Sequence, residues 1–351
     1  MIKTFFTPDS KGYGAASKQT ILDGIKFSSE IGFRPVVLGI KEMIHFVKMF
    51  RYLIDTDVFL IMYPYLCSPI RKANPLKRLE TNLISKLNKN KFSILYIVDL
   101  PIEQNLAIGN TYVIGKKAYK IEKQLFENFN VICVFNEYMK NAIQQRYDIS
   151  DDRFVKFEIL DYGVNFTPSK NKKFLRNKFK IVYTGNASKE YVGLRMKDLP
   201  SSKNIEYEIF GNNGGWINDL GRQDVVYKGF LPSKEIIKYI STKAHFGTIL
   251  YNKNFKSVNY YNFGSSSKFS AYLVAGLPLL IPSQYTYISS LVKKYKVGFS
   301  FGSFDEIPQI INTLTESKYN RIRNNCLKLG EKIKDGYFFK KAVKIALKKI
   351  I

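Results

Sequence analysis

The sequence predicts an α/β protein made of two doubly wound domains, each with a parallel sheet between layers of helices. Two observations predict this fold. Short apolar runs alternate with amphipathic segments in both halves of the chain, and the alternation stops at residues 166–180, where Lys and Asn accumulate beside Pro168. Alternating strands and helices are typical of parallel sheets covered on both faces. A polar interruption that contains proline is typical of an interdomain linker.

The first domain is predicted to span residues 1–165. Its strands are runs of β-branched and aromatic residues, and its helices are segments with apolar residues three and four apart. The predicted strands are Ile2–Phe6, Pro35–Leu38, Val58–Met62, Ser93–Val98 and Val131–Phe135. The predicted helices are Ala16–Gly32, Lys41–Leu53, Pro75–Asn88, Lys117–Phe129 and Glu137–Arg146.

The second domain is predicted to span residues 181–335 and to repeat the alternation. The predicted strands are Lys180–Thr184, Tyr207–Phe210, Val225–Tyr227, Phe246–Leu250, Leu279–Ile281 and Gly298–Phe301. The predicted helices are Ser233–Thr242, Phe269–Ala275 and Ile288–Tyr295. We expect residues 336–351 to form a C-terminal helix that can cross back to the first domain.

The composition restricts the classes of partner. A chain of 351 residues with 45% hydrophobic content can bury two cores, and its 55 basic and 29 acidic residues give a formal net charge of +26. The lysines are scattered and no nucleic-acid-binding motif is visible, which argues against nucleic acid. Peripheral contact with an anionic membrane fits the charge better.

Cysteine and histidine usage restricts the compartment and the chemistry. Cys67, Cys133 and Cys326 are far apart, and no signal sequence is visible at the N-terminus. These features predict a cytoplasmic protein. Peripheral attachment to the inner face of the membrane is compatible with them. His45 and His245 are the only histidines, which excludes most zinc and Ser-His-Asp schemes.

The candidate site residues lie in the turns that follow strands of the second domain. In open parallel sheets, ligands bind beyond the carboxyl ends of the strands. Glycine lies in several of these turns, where the backbone must approach a ligand closely. The turns contain Gly185 and Asn186, Gly211, Gly229 and Phe230, Tyr251, and residues 263–268. No GxGxxG or P-loop signature is present, so neither a dinucleotide enzyme nor a P-loop kinase is predicted.

The segment Tyr260–Pro282 carries the strongest single signal. A glycine and three serines precede Lys268 at the start of an amphipathic helix. The N–H groups and the dipole of a helix N-terminus attract anions but disfavour a lysine, so a lysine in this place indicates a bound phosphate. An ordinary capped surface helix is the alternative. The hydroxyl groups and the cap come from Ser265, Ser266 and Ser267.

Two Rossmann-like domains that face a cleft, with the anion site in the second, are the GT-B arrangement of glycosyltransferases. The chain also resembles a bacterial GT-B hexosyltransferase family, which includes glucosyltransferases that extend O-linked GlcNAc on adhesins and β-1,6-galactofuranosyltransferases. The specific part of the resemblance is YTGNASK (183–189), YEIFGNN (207–213), VVYKGFLPSKEI (225–236), HFGTILY (245–251) and SSSKFSAYLVAGLPLLI (265–281). The looser part is FSILYIVDLPIEQ (92–104) and LDYGVNF (160–166).

The resemblance implies transfer of a hexose, glucose or galactofuranose, from a UDP-sugar to a sugar acceptor on a surface glycan, glycopeptide or lipid-linked sugar. In this fold Lys268 and the helix N-terminus would stabilise the departing diphosphate in place of a metal. Gly185, Asn186 and Lys189 would contact the diphosphate or the sugar. The uracil pocket would come from Phe210, Gly211, Gly229 and Phe230. Tyr251 lies where the family has a W-D-G turn, and this departure leaves the donor sugar open.

Asp99 is the candidate general base on the acceptor side. It follows an apolar strand, and an inverting transfer needs one carboxylate to take the proton of the acceptor hydroxyl. Capping of a helix before Pro101 is the alternative role for Asp99, and Glu103 is the reserve candidate. We expect Gly12 and Gly14, after the first strand, to shape an acceptor loop.

No metal or cofactor is predicted apart from the UDP-sugar substrate. Asp55-Thr56-Asp57 spells the DxD motif of metal-dependent glycosyltransferases, but there the motif follows a strand, whereas here the strand comes after it. We therefore interpret it as a loop between a helix and a strand. Two other functions stay open: a silent partner subunit of a glycosyltransferase, and a UDP-sugar epimerase of GT-B form. Assembly into homo-oligomers also stays open.

Overall fold

The computed structural model describes most of the chain, in two compact units. The described residues are 1–11, 13–38, 47, 51–67, 91–107, 109, 114, 116–169, 174, 178–250 and 258–351. The first unit comprises Met1–Asp161 and Gly336–Ile351, and the second comprises Tyr162–Asp335. The chain therefore passes into the second unit shortly before the predicted linker.

The first unit contains a parallel sheet whose inner strands are buried on both faces. Its strands are β1 (Lys3–Pro8), β2 (Arg34–Leu38), β3 (Val58–Tyr63), β4 (Phe92–Ile97), β5 (Val131–Val134) and β6 (Phe154–Lys156). They pair in the order β2-β1-β3-β4-β5-β6. Every residue of β3 and β5 is buried, because helices cover both faces of a parallel sheet. The helices are α1 (Ala15–Glu30), α2 (Pro101–Ala107), α3 (Lys116–Asn128) and α4 (Glu137–Tyr147).

The second unit contains a second six-stranded parallel sheet. Its strands are β7 (Phe179–Thr184), β8 (Ile205–Phe210), β9 (Val225–Gly229), β10 (Phe246–Thr248), β11 (Leu279–Pro282) and β12 (Gly298–Phe301). They pair in the order β12-β11-β10-β7-β8-β9. The helices are α5 (Lys189–Asp198), α6 (Ser233–Lys243), α7 (Ser267–Val274), α8 (Thr286–Tyr295), α9 (Glu306–Asn312) and α10 (Glu316–Lys334).

The last helix, α11 (Tyr337–Ile350), returns to the first unit and packs on β4, β5 and β6. Its first turn is held by the buried carboxylate of Asp161, which accepts a hydrogen bond from the Phe339 N–H (2.6 Å). The Phe339 ring lies 4.9 Å from the ring of Tyr96 on β4. The helix therefore completes the core on one face of the first sheet.

The sequence predicts most of these elements but misses the short ones. Helix α2 has seven residues, strand β6 has three, and the sequence of α5 is interrupted by Gly193. Such segments contain too few apolar residues to show a period. The predicted helix Pro75–Asn88 lies outside the described residues. The same is true of most of the predicted helix Lys41–Leu53, of which the described residues 47 and 51–53 are helical.

Candidate functional site

The direction of chain progression in the second sheet reverses between β7 and β10. The chain moves from β7 to β8 and β9 on one side and from β10 to β11 and β12 on the other. In open α/β sheets, ligands bind in the crevice beyond the carboxyl ends of two such neighbouring strands. Here these ends are Thr184 and Thr248, and most of the predicted site residues surround them.

Two glycine turns pack against each other beside Thr184. Gly185 and Gly211 have φ angles of +138° and +146°, which residues with a Cβ rarely adopt. A Cβ on Gly211 would lie 1.5 Å from the carbonyl oxygen of Gly185. The Gly185 N–H donates to the Phe210 carbonyl (2.9 Å), and the Gly211 N–H donates to the Gly229 carbonyl (2.8 Å). The turns after β7, β8 and β9 therefore form one hydrogen-bonded surface.

Helix α7 begins beside these turns, at Ser267, two residues before the predicted start. Ser266 is its N-cap residue, with φ of +66°, and its hydroxyl accepts a hydrogen bond from the Lys268 N–H (3.3 Å). Ser265 is fully buried, whereas Ser266 and Ser267 are partly exposed. The N-terminus of a helix carries the positive end of its dipole and N–H groups that have no partner within the helix. Ser266 and Ser267 therefore present the exposed part of this N-terminus.

The side chain of Lys268 lies over the turn that follows β7. Its Nζ is 5.6 Å from the centroid of the Tyr183 ring, and a Cβ on Gly185 would lie 2.4 Å from its Cε. Burial lowers the pKa of the Lys268 ammonium from 10.5 to about 8, because poorly hydrated surroundings disfavour the charged form. We call Gly185, Ser266, Ser267 and Lys268 the cationic corner.

A buried tyrosine connects the cationic corner to both strand ends. Tyr272 lies one turn after Lys268 on α7, and its hydroxyl accepts a hydrogen bond from the Thr184 N–H (2.9 Å). The same hydroxyl donates to the Thr248 carbonyl (3.1 Å). The Tyr272 ring is fully buried against Gly247, where a Cβ would lie 2.6 Å from ring carbons. Tyr272 therefore fixes the helix that carries Lys268 against the strand that ends at Thr184.

Asn186 and Lys189 lie on the exposed side of the same turn. The side-chain oxygen of Asn186 accepts a hydrogen bond from the Ser188 N–H (3.1 Å). Lys189 is the first residue of α5, and its Nζ lies 5.8 Å from the centroid of the Trp216 ring. Trp216 in turn donates its indole N–H to the Ala187 carbonyl (2.8 Å). Lys189 is thus a second, more exposed cation close to Gly185 in the chain.

The predicted base-pocket residues differ in exposure. Phe210 is 3% exposed and packs on Tyr239 with ring centroids 5.0 Å apart, so it belongs to the core. Phe230, after β9, is 50% exposed and can offer an aromatic face to a ligand. Gly229 has φ of +76°, and a Cβ there would meet no atom within 4 Å. Tyr251 lies outside the described residues.

In the first unit the sheet order reverses between β1 and β3. Gly14 caps the N-terminus of α1 and is open to solvent, since a Cβ there would meet no atom within 4 Å. Next to it, the Tyr13 hydroxyl donates to the Tyr65 carbonyl (3.2 Å), and their two rings are 5.8 Å apart. The loop after β1 therefore contacts the loop after β3. Gly12 lies outside the described residues.

Asp99 and Glu103 lie in different environments. Asp99 follows β4, is partly exposed, and accepts a hydrogen bond from the Leu100 N–H (2.8 Å). Glu103, in α2, is 9% exposed and forms an ion pair with Arg146 of α4. Asp99 is thus the more accessible carboxylate, whereas Glu103 connects two helices.

A buried carboxylate lies behind this ion pair. Arg146 is also 3.9 Å from Glu122, whose carboxylate accepts hydrogen bonds from the hydroxyls of Tyr63 (2.5 Å) and Tyr147 (2.6 Å). Burial raises the pKa of Glu122 above its ordinary value. The buried tyrosines and Glu122 connect β3, α3 and α4, and give Arg146 and Glu103 a structural role.

The DxD sequence forms a loop between a helix and a strand, as predicted. Asp57 accepts a hydrogen bond from the Ile2 N–H (2.6 Å), and the Thr56 hydroxyl is buried against that of Thr4 (2.7 Å). These contacts lie at the amino end of the first sheet, opposite to the edge where ligands bind. The described residues contain no group of three His, Cys, Asp or Glu side chains that could hold a metal ion. In the same part of the chain, no helix is both long and apolar enough to cross a bilayer.

The architecture is that of the GT-B class, as the sequence predicts. Two solved structures share the fold. Sucrose-phosphate synthase from Thermosynechococcus elongatus superimposes with a TM-score of 0.65 at 10% identity, over 100% of this chain and 99% of the other. An α-glucosyltransferase in complex with UDP superimposes with a TM-score of 0.60 at 12% identity, over 99% of this chain and 100% of the other.

Residues 181–346, just under half of the chain, match the family of glucosyltransferase 3-like C-terminal domains. This confirms the predicted family resemblance where its motifs are most specific. Glucosyltransferase 3 of Streptococcus gordonii is 32% identical over 92 residues, 26% of this chain and 27% of that protein. β-1,6-Galactofuranosyltransferase WbbI of Escherichia coli K12 is 21% identical over 197 residues, 55% of this chain and 56% of that protein. The matches thus span about a quarter of one relative's length and little more than half of the other's.

Three residues of the site are not predicted from the sequence: Tyr183, Trp216 and Tyr272. Tyr183 lies two residues before Gly185, at the end of β7, and its ring lies beneath the Lys268 ammonium. Tyr272 shares a helix face with Lys268, because they are four apart. These spacings could have found both tyrosines once Gly185 and Lys268 were chosen. Nothing in its local sequence links Trp216 to the turn at Ala187.

Proposed function

We propose that the protein is a glycosyltransferase that moves a hexose, glucose or galactofuranose, from a UDP-sugar to a sugar acceptor, with inversion and without a metal. The acceptor belongs to a surface glycan, a glycopeptide or a lipid-linked sugar. The family match over residues 181–346 and the two relatives named as transferases support this proposal. The solved α-glucosyltransferase with the same fold, which is in complex with UDP, supports UDP as the carrier.

The observation that carries the proposal is the cationic corner. The ammonium of Lys268, with a pKa lowered by burial, lies at a helix N-terminus beside a glycine turn beyond a strand end. The positive end of the helix dipole disfavours an ammonium at this place, and a bound anion would offset that cost. Both are satisfied by a diphosphate, which restores the proton of Lys268 and accepts hydrogen bonds from the first turn of α7.

The chemistry follows from this arrangement. When the bond between the hexose and UDP breaks, negative charge grows on the diphosphate, and fixed positive groups that are already in place stabilise it without reorganising. Lys268 supplies the full charge and α7 supplies its dipole. Phe230 and the turn at Gly229 receive the uracil, because an exposed aromatic side chain can pack on the base.

Asp99 takes the proton from the acceptor hydroxyl. It is partly exposed and follows the carboxyl end of β4, so it can reach a bound acceptor. Glu103 is committed to Arg146, which makes Asp99 the better candidate. The loop at Gly14 and Tyr13 belongs to the acceptor side.

The test is a UDP-release assay with a panel of UDP-sugars and with GlcNAc-, glucose- and lipid-linked acceptors. We expect UDP release to require an acceptor and to persist in EDTA. We also expect one UDP-sugar to give a much higher rate of release than the others. Calorimetry with the same preparation measures UDP binding and so shows whether the nucleotide site is intact. UDP binding without release for any donor would instead favour a silent partner subunit, and conversion of the donor to an epimer would favour an epimerase.

A further inference from the structure

The exposed face of α11 carries lysines and apolar side chains together. Its outward residues recur three and four positions apart, so they share one side of the helix. The opposite side, with Phe338, Phe339, Ala342, Val343 and Ala346, is buried in the first unit. The exposed residues on the outward side are Tyr337, Lys341, Lys344, Ile345 and Lys348. Lys349 is exposed too, but its ammonium donates hydrogen bonds to the carbonyls of Asp152 and Phe154.

Helix α1 presents a similar stripe. Lys18, Leu22 and Lys26 are spaced by four residues and are all exposed. Leu22 is 43% exposed although its neighbour Ile21 is fully buried. An apolar side chain between two lysines on an outward helix face has no role in the core of the unit.

The two stripes lie on neighbouring helices. The rings of Phe27 on α1 and Phe339 on α11 are 6.2 Å apart. Lys340 of α11 forms an ion pair with Glu30 of α1 (2.9 Å). We call the eight outward residues, Lys18, Leu22, Lys26, Tyr337, Lys341, Lys344, Ile345 and Lys348, the basic helical face.

The charge of this face is almost entirely positive. Its five lysines form no salt bridge within the part of the chain that the structure describes. Glu30 at the border is already paired with Lys340. A surface of this kind attracts a polyanion, because all five lysines contribute to the positive potential.

We propose that the basic helical face binds the surface of an anionic lipid bilayer. Lysines hold the phosphate groups, while Leu22, Tyr337 and Ile345 enter the boundary between headgroups and acyl chains, as in interfacial helices. A nucleic acid would use the lysines but would leave the exposed apolar side chains in water. The proposal does not depend on the reaction, since it concerns α1 and α11 alone.

The experiment measures co-sedimentation with vesicles of phosphatidylglycerol and phosphatidylcholine, and with vesicles of phosphatidylcholine only. We expect the whole protein to bind the anionic vesicles. The variant Lys341→Gln/Lys344→Gln/Lys348→Gln should bind them on the order of a hundredfold more weakly. Leu22→Gln/Ile345→Gln keeps every charge and should still bind several-fold more weakly.

The control for net charge is Lys293→Gln/Arg321→Gln/Lys328→Gln, which removes three exposed cations from α8 and α10. It should bind the anionic vesicles within about twofold of the parent protein. Thermal melting shows that each variant is folded, which is expected because all the substituted side chains are exposed.

Three results would overturn the proposal. One is failure of the parent protein to bind anionic vesicles. Another is equal loss of binding in the control and in the lysine variant, which would show that only net charge matters. The third is tighter binding to a duplex oligonucleotide than to the vesicles, with Leu22→Gln/Ile345→Gln unchanged, which would indicate a nucleic-acid surface.

Discussion

The two units present very different chemistry at the same place in their sheets. Beyond the strand ends where the chain order reverses, the second unit has glycine turns, a helix N-terminus and Lys268. The first unit has Gly14, the tyrosine pair Tyr13 and Tyr65, and, after the next strand, Asp99. Under the proposed function, the second edge binds the anionic diphosphate, whereas the first edge receives the neutral acceptor hydroxyl beside one carboxylate.

This difference teaches that sheet topology fixes where ligands bind but not which ligand binds. Both edges follow the rule for doubly wound sheets. What distinguishes them is the residues that each sequence places in the turns. If the proposed function is right, substitutions at the second edge change UDP affinity, whereas substitutions at the first edge change the rate and leave UDP affinity unaltered.

The largest expected effect is on the rate, at the first edge. Asp99→Asn removes the group that takes the acceptor proton, so kcat should fall by about 10²- to 10⁴-fold. The Kd for UDP should stay within twofold of the parent value. Glu103→Gln is the matched control, because it loses the ion pair with Arg146 and should lower the melting temperature more than kcat. A full rate in Asp99→Asn would remove this residue from the mechanism.

The next largest effect is on affinity, at the second edge. Lys268→Ala removes a charge-assisted hydrogen bond of about 1.5–3 kcal/mol, so UDP should bind about ten- to 150-fold more weakly. Lys189→Ala is the control: Lys189 is more exposed and lies against Trp216, so its effect should be smaller. Calorimetry measures the Kd for UDP in both variants. Unchanged affinity in Lys268→Ala would refute the cationic corner.

Gly185→Ala tests the same corner without changing a charge. Its Cβ would lie 2.4 Å from Lys268 Cε, at a φ of +138°, so the lysine must move. We expect UDP affinity to fall about tenfold. Gly215→Ala, where a Cβ meets no atom within 4 Å, should bind UDP normally. Equal affinities in the two variants would mean that the position of the lysine does not matter.

The pH dependence of UDP binding should report the proton on Lys268. Its folded pKa of about 8 is below 10.5, so the free protein loses this proton as the pH rises through 8, and UDP affinity should fall about tenfold between pH 7 and pH 9. The unfolded chain keeps the proton longer. The stability of the free protein should therefore rise between pH 8 and 10.5. The comparison is Lys268→Met, whose UDP affinity should show no such decline over the same range.

The smallest effect is expected from Tyr272→Phe. It leaves the Thr184 N–H and the Thr248 carbonyl without their hydroxyl partner, which should destabilise the second unit by about 1–3 kcal/mol. UDP affinity should fall only several-fold, because Lys268 stays in place. Tyr207→Phe also loses a hydrogen bond, to the Pro200 carbonyl (3.1 Å), and should change stability without changing UDP affinity. Denaturant unfolding measures the stability of both variants, and calorimetry measures their Kd for UDP.

Much of the fold could be predicted because long apolar strands and amphipathic helices have clear periods. The turn positions of Gly185, Gly211 and Gly229 and the helix-start position of Lys268 could be predicted, because glycine punctuates turns and a lysine at a helix start is locally unusual. Contacts between residues that are far apart in the sequence could not be predicted. The packing of Phe210 on Tyr239 joins residues 29 positions apart, and the hydrogen bonds of Tyr272 to two strands join residues 88 and 24 positions apart. No local pattern encodes such contacts.

The return of α11 to the first unit has a consequence for biosynthesis. The helix covers β4 to β6 and is tied to Asp161, yet its residues are translated after the whole of the second unit. During synthesis the second unit can therefore complete its core while the first still exposes part of its sheet. A chaperone that binds nascent chains would find its apolar target on the first unit until residues 337–350 have left the ribosome.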